Sequence, residues 1–170
     1  MAPRSEHRTL RELTVVDVVE AFVESADSML MLRLARLLAG ADWGSLHDPE
    51  ARKAAIRRGP TTTGLRAIAT YALTGQGMFY SGLLESLVGC MPDHRIPSGH
   101  PVAVAYDAAL ARDHLAKGQA VPAPILASLC SLSDHQVRAL ARAGKLHLHD
   151  AASEIAFCLD RGVMGMEERT

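Results

Sequence analysis

The sequence predicts an all-α protein, a multi-helix body followed by a C-terminal helix-turn-helix. Three observations predict it. Apolar residues recur at helical spacing through most of the chain, helix-start and helix-stop residues bracket those stretches, and residues 125–146 place two short amphipathic segments across a tight turn. β-Structure is scarce, with 146–148 the one candidate extended stretch.

Residues 1–12 are polar and are expected to form a flexible N-terminus. Thr14 with Asp17 three positions on marks a helix start. Val15, Val18, Val19, Phe22, Val23, Ala26, Met29, Leu30, Leu34, Leu37 and Leu38 then continue at helical spacing to Gly40. So wide a stripe is expected to lie centrally or against another subunit. Asp48-Pro49-Glu50 starts a second, basic helix, because Asp caps, Pro takes the first helical position and Glu complements the positive end of the dipole. Gly59-Pro60 ends it. Thr62 or Thr63 is expected to cap a third helix bearing Leu65, Ile68, Ala69, Ala72 and Leu73, before the Gly75-Gln76-Gly77 break.

Met78, Phe79, Leu83, Leu84, Leu87 and Val88 give the next helix its apolar face, and 89–99, with Pro92 and Pro97, forms a loop. Pro101 opens a helix to about Lys117, stopped by Gly118, and 119–124 links it onward. The final apolar stretch, Ala151 to Leu159, is ended by Arg161-Gly162 and offers Ile155, Phe157 and Leu159 for burial. The expected organisation is a flexible 1–12, a helical body over 13–117, a helix-turn-helix module with its following helix over 120–160, and a flexible tail over 161–170.

A chain of 170 residues, 48% of them apolar, can bury a sizeable core. Its formal charge of −1 excludes a globally basic, histone-like binder, so any nucleic-acid surface must be a local patch. The charge is uneven. Residues 33–66 hold Arg33, Arg36, Arg52, Lys53, Arg57, Arg58 and Arg66 against Asp42, Asp48 and Glu50, whereas 150–170 hold Arg161 and Arg169 against Asp150, Glu154, Asp160, Glu167 and Glu168. Cys90, Cys130 and Cys158 are far apart in apolar surroundings, which suits buried reduced thiols better than a disulfide framework. No apolar run reaches the roughly 18 residues of a membrane-spanning helix, and the polar N-terminus adjoins no signal-type core. The expected compartment is the cytoplasm.

Within 125–146 the first helix would bury Ile125, Leu126 and Leu129. A turn through Ser131 and Leu132 follows, and Ser133 caps a second helix whose inner face carries Val137, Leu140 and Ala141. Asp134, His135, Arg138 and Arg142 point away from that seam, and hydrogen-bonding side chains so placed are what reading the DNA major groove requires. The run Leu-Ser-x-x-x-Val-Arg-x-Leu-x-Arg-x-Gly-Lys-Leu, from Leu132 to Leu146, resembles the helix-turn-helix of MerR-like and excisionase-like DNA-binding proteins. The resemblance covers residues 125–146 only. It implies that Ser133 caps the recognition helix, that Val137 and Leu140 hold it to the first helix, that His135 and Arg138 face the groove, and that Arg142 and Lys145 approach phosphates. Asp134 and Gln136 complete the candidate DNA-binding set. The turn position that the family usually fills with Gly is Ser131 here. His147-Leu148-His149-Asp150 stands where the family usually has a basic wing, so no wing is expected.

Arg52, Lys53, Arg57 and Arg58 form a second candidate contact, with Lys53 and Arg57 on one helix face. They are either a solvated surface or a contact with DNA phosphates or an acidic partner, for example the negative tail of another subunit. His147, His149 and Asp150 with His135, and His94 and His100 with Asp93, lack a spacing that completes a tetrahedral set, so no metal is expected. No nucleophile elbow surrounds Ser81, Ser98, Cys90 or Cys130, Gly75-Gln76-Gly77 is too short for a dinucleotide fingerprint, and no phosphate loop is present. Neither an enzyme nor a cofactor is expected.

The resulting expectation is sequence-specific binding of double-stranded DNA by a transcriptional regulator of prokaryotic or phage type. A homodimer is expected, because one short recognition helix supplies too few base contacts alone. The first helix and Met78-Phe79-Tyr80 are the candidate subunit contact. The rival is an all-α protein-interaction subunit, an adaptor or inhibitor, whose helical pair is structural or binds protein.

Overall fold

A computed structural model describes residues 9–37, with backbone alone over 29–37, and residues 48–77, 79 and 99–164. Among the described residues there are seven α-helices, a 3-10 turn at Leu10–Glu12 and no strand. Helix α1 (Val15–Leu37) opens as its sequence requires, the Asp17 carboxylate accepting the Thr14 N–H at 2.8 Å and the Thr14 hydroxyl accepting the Asp17 N–H at 3.2 Å. It buries Val18, Val19, Phe22, Val23 and Ala26. The side chains expected to extend that stripe, Met29 to Leu38, and the stop at Gly40 lie outside the described residues. With Asp17, Glu20, Glu24 and Asp27 along it, α1 is no membrane helix, and no described helix is long and apolar enough to cross a membrane.

Helix α2 (Pro49–Arg58) is capped by Asp48, whose carboxylate accepts the Glu50 N–H at 3.0 Å. Helix α3 (Pro60–Thr74) begins earlier than a Thr62 or Thr63 cap implies. Gly59 is its N-cap and Pro60 supplies a preset φ at the first position, so one extended residue separates two consecutive helices. Thr62 is instead buried, its hydroxyl donating to the Ile56 carbonyl at 2.6 Å and tying the end of α2 to α3. Gly75, at φ 74°, closes α3. Phe79 lies between Tyr71 and Tyr106, with centroids 6.3 and 5.5 Å away, so this member of the expected subunit contact is used within the chain. Met78, Tyr80, the helix expected to continue to Val88, Cys90, Asp93 and His94 lie outside the described residues.

The most extensively buried of the described helices is α4 (Pro101–Ala116), and α1, expected to lie centrally or against another subunit, packs into the same core. Val102, Val104, Ala105, Tyr106, Ala108, Ala109, Ala111 and Leu115 are all buried, and α4 touches α1, α3, the 3-10 turn and two of the helices that follow it. Small Ala side chains let neighbours approach closely over most of its surface, and its half-buried side, Ala103, Asp107, Leu110 and His114, mixes apolar with polar, which leaves no clear stripe to signal a core helix. Arg112, 5% exposed, donates from Nε to the Ala72 carbonyl at 2.9 Å, placing a cation at the C-terminal end of α3.

Three more helices follow among the described residues: α5 (Ala123–Cys130), α6 (Asp134–Arg142) and α7 (Ala151–Asp160). The expected boundary near residue 118 does not interrupt the core, because one cluster of buried apolar side chains runs from Leu10 through Phe22, Leu65 and Val102 to Leu126, Val137, Leu146 and Met164. Most of the expected flexible ends, residues 1–8 and 165–170, lies outside the described residues; of the described remainder, Leu10 is 5% exposed and the 3-10 turn packs on α4 and α5, while Met164 is buried. Leu146–Leu148 is not a strand; Leu146 is buried and a turn follows at 148–149. Helix α7 fully buries Glu154 and Cys158, whereas Ile155, Phe157 and Leu159 are only half-buried.

Candidate nucleic-acid interface

Helix α6 is fixed at both ends by its own sequence. At the start, the Ser133 hydroxyl accepts the Gln136 N–H at 3.2 Å and the Gln136 side-chain oxygen accepts the Ser133 N–H at 2.8 Å. At the finish, Gly144 takes φ 70°, the Lys145 N–H returns to the Leu140 carbonyl at 3.0 Å and the Gly144 N–H to Ala141 at 3.0 Å, which satisfies the last-turn carbonyls. Val137 is wholly buried against α5, Leu140 and Ala141 are half-buried, and Leu146 folds back into the core.

The turn before α6 uses the same closure, with Leu132 N–H on the Ala127 carbonyl at 3.0 Å, but the left-handed residue is Ser131 at φ 55°. A Cβ in that region is strained, which is why the position favours Gly. Ser131 has a compensation that Gly lacks: its hydroxyl accepts the Arg11 N–H at 3.0 Å. The 3-10 turn is thereby bonded to the bend between α5 and α6. In α5, Leu126 and Leu129 are fully buried as expected, but Ile125 is only half-buried.

The outward face of α6 holds most of the residues singled out from sequence. His135, Arg138 and Arg142, spaced i, i+3 and i+7, share it and are exposed, as is Lys145 beyond the helix end. Asp134 is half-buried and serves Arg138: Nε of Arg138 bonds its two carboxylate oxygens at 3.0 and 2.9 Å, while the Arg138 side chain stays 57% exposed. Nε of Arg142 in turn lies 3.4 Å from the Arg138 carbonyl. Ser133 and Gln136 are engaged in the cap, so both have a structural task. Exposed Ala139 belongs to this face too, and sequence reading passed over it because a small apolar residue carries no polar signal. Arg11 was equally hidden. It is exposed and its Nη2 donates to the Arg161 carbonyl at 3.2 Å, although the two residues are 150 positions apart.

The basic residues of α2 do not form an open patch. Arg52 binds Asp27 through Nε at 2.8 Å and Nη2 at 3.3 Å, Lys53 binds Glu24 at 2.6 Å, and Arg57 binds Glu20 through Nε at 3.0 Å and Nη2 at 2.8 Å. This antiparallel ladder clips α2 onto α1. The Arg57 hydrogen bond holds the Glu20 carboxyl below its usual range, and the bonded Glu24 raises the Lys53 ammonium. The acidic partner foreseen for these cations is therefore α1 of the same chain, and of the four only Arg58 is fully exposed.

A carboxylate supports the whole C-terminal segment from below. Glu154, 0% exposed, accepts the Val121 N–H at 2.9 Å and the His149 N–H at 3.0 Å, pinning the linker before α5 and the loop after α6 to α7. His135, His147 and His149 are exposed, and among the described residues no three His, Cys, Asp or Glu side chains gather to hold a metal. His100 is not a solvated loop residue. Its Nδ1 accepts the Val102 N–H at 3.2 Å as the cap of α4, and its Nε2 lies 3.2 Å from the Ser25 hydroxyl, whose oxygen is 2.9 Å from the Ala21 carbonyl. Burial lowers its pKa, in keeping with a neutral ring that accepts at Nδ1. No protein-family model matches this chain, and no curated protein or solved structure was found to be similar to it.

Proposed function

We propose that α5 and α6 form a helix-turn-helix with α6 as the recognition helix, and that the protein is a sequence-specific double-stranded DNA-binding regulator of prokaryotic or phage type. One observation carries the reading: His135, Arg138 and Arg142 share the exposed face of a helix whose opposite face is locked by Val137. A guanidinium held at Nε by Asp134 points its two terminal nitrogens in one direction, which suits a guanine's O6 and N7. Asp134 then acts as an orienting group, and its negative charge is largely spent on Arg138. Ala139 offers a methyl for a thymine methyl, and Arg142, Lys145 and Arg11 supply cations for phosphates. With only nine residues in α6, two copies related by a two-fold axis are needed to read a full site.

A second reading has its own observation. Leu132, Ala139, Leu140 and Ala143 line a groove of about 410 Å³ alongside α6, with Lys145 and Arg161 contributing charge. An adaptor or inhibitor would seat a partner protein there.

Selection from a randomised duplex pool, followed by binding of wild type and Arg138→Ala to the selected duplex and to unrelated DNA, tests the choice. Arg138→Ala should weaken the selected complex by roughly 1–3 kcal/mol and unrelated DNA much less. Equal losses on both duplexes would refute groove reading. No enrichment, with no binding to any DNA at low salt, would leave the protein-partner reading.

A further inference from the structure

Cys130 ends α5 and Cys158 lies on α7, and their sulfurs are 3.6 Å apart with both side chains wholly buried. Both are free thiols. We propose that Cys130 and Cys158 form a reversible intramolecular disulfide when the protein meets a peroxide, a modification that acts on the bend from which α6 departs. The sulfurs are already at van der Waals contact, and a disulfide of about 2.05 Å requires a further approach of roughly 1.5 Å.

The two thiols are not equivalent. The hydrogen bond from Cys158 lowers the pKa of Cys130, burial opposes this, and the positive charges of Arg161, Arg11 and Arg112 assist it. The same hydrogen bond, with burial, pushes the Cys158 thiol up. Three guanidinium groups act on the Cys130 sulfur against one on Cys158, and the residues on either side of Cys130 line a pocket, so Cys130 is the attacking thiolate and Cys158 the resolving thiol. In the first step the Cys130 sulfur attacks one peroxide oxygen, the O–O bond breaks and, with a proton taken up, water leaves, giving a sulfenic acid. In the second, the Cys158 sulfur attacks the sulfenyl sulfur, the S–O bond breaks and a second water departs with the Cys158 proton. Two thiols lose two electrons and two protons, and one hydrogen peroxide becomes two waters.

Access favours a small oxidant. A pocket of about 270 Å³ is lined by Leu129 and Ser131, which flank Cys130, and by Gly162 and Val163 at the end of α7. The Val163 N–H bonds the Cys158 carbonyl at 3.1 Å, so the pocket reaches the backbone turn beside the second thiol. Closing the bond draws the end of α5 toward α7, and the next residue, Ser131, is the strained bend bonded to Arg11. Movement there reorients the start of α6.

The test uses wild-type protein, reduced, freed of reductant, titrated with hydrogen peroxide, and then alkylated under denaturing conditions for peptide mapping. The expected product is a Cys130–Cys158 cross-link that dithiothreitol reverses. In Cys158→Ser, dimedone should label Cys130, and in Cys130→Ser it should leave Cys158 unlabelled. Both cysteines remaining alkylatable after peroxide, or a link to Cys90 in preference, overturns the proposal, and the wild-type map stands even where a variant fails to fold. The effect on α6 rests on the DNA-binding function proposed above. A several-fold, dithiothreitol-reversible change in affinity for the selected duplex is expected. A disulfide without that change overturns the coupling, while a disulfide in a protein that binds no DNA overturns the DNA reading and leaves the thiol chemistry intact.

Discussion

Replacing Glu154 with Gln exchanges one carboxylate oxygen for an amide nitrogen and preserves the side chain's outline. In the native protein Oε2 accepts from Val121 and Oε1 from His149, in a site closed to solvent. Gln retains one acceptor, and its NH2 then confronts the second backbone N–H, donor against donor. A hydrogen bond to a charged group contributes about 1.5–3 kcal/mol, and a buried amide left unpaired costs about 1–3 kcal/mol. These two figures describe the same lost contact and are not summed. A neutral amide is less costly to bury than a carboxylate, which offsets part of the loss. The expected destabilisation is about 2 kcal/mol, or about 4–8 °C in Tm for a domain of this size. Urea denaturation followed by far-UV circular dichroism measures the first quantity, with the slope unchanged. Amide exchange localises it, since Val121 and His149 should lose protection before residues of α4. A change below about 0.5 kcal/mol, with protection at both amides intact, would refute the assignment of Glu154 as the clamp.

Two further outcomes follow from the same geometry. His100 is more acidic in the fold than in the unfolded chain, so the stability it contributes is full above the unfolded value of about pH 6.5 and is lost as pH falls through the folded value. Urea midpoints measured from about pH 7.5 down to 5 should fall in wild type and fall less in His100→Asn, which keeps a capping acceptor; equal slopes would contradict the neutral cap. Ser131→Gly removes a left-handed Cβ worth about 1–2 kcal/mol of strain but also loses one hydrogen bond of about 0.5–1.5 kcal/mol and gains unfolded-state freedom. Its stability should stay within about 1 kcal/mol of wild type, whereas Ser131→Ala, which keeps the strain and loses the bond, should fall by about 1 kcal/mol in the same urea assay.

What the sequence discloses divides by range along the chain. The Thr14 and Asp17 box, the Asp48-Pro49-Glu50 start, the Ser133 cap and the Gly118, Gly144 and Gly162 stops all involve partners within a few residues, and each is readable because local geometry alone decides it. The inward Val137 and the outward His135, Arg138 and Arg142 follow from the helical period in the same way. The contacts that escaped join distant residues: Arg52 to Asp27, Glu154 to Val121, Arg11 to Ser131, Cys130 to Cys158. Nothing in a periodic pattern says which carboxylate will face which cation, so the α2 cations read as an available surface although α1 already uses three of them. Helix α4 itself is readable from its Pro101 start and Gly118 stop, but its depth of burial is not: Ala103, Asp107, Leu110 and His114 on its half-buried side mix apolar with polar, and a period-based reading detects contrast between faces, not burial itself.

The continuity of apolar packing between α4 and α5 means that the C-terminal helices are not a portable cassette. Leu126, Leu129 and Cys130 rest on side chains supplied from before residue 118, so severing the chain there would strip both pieces of cover.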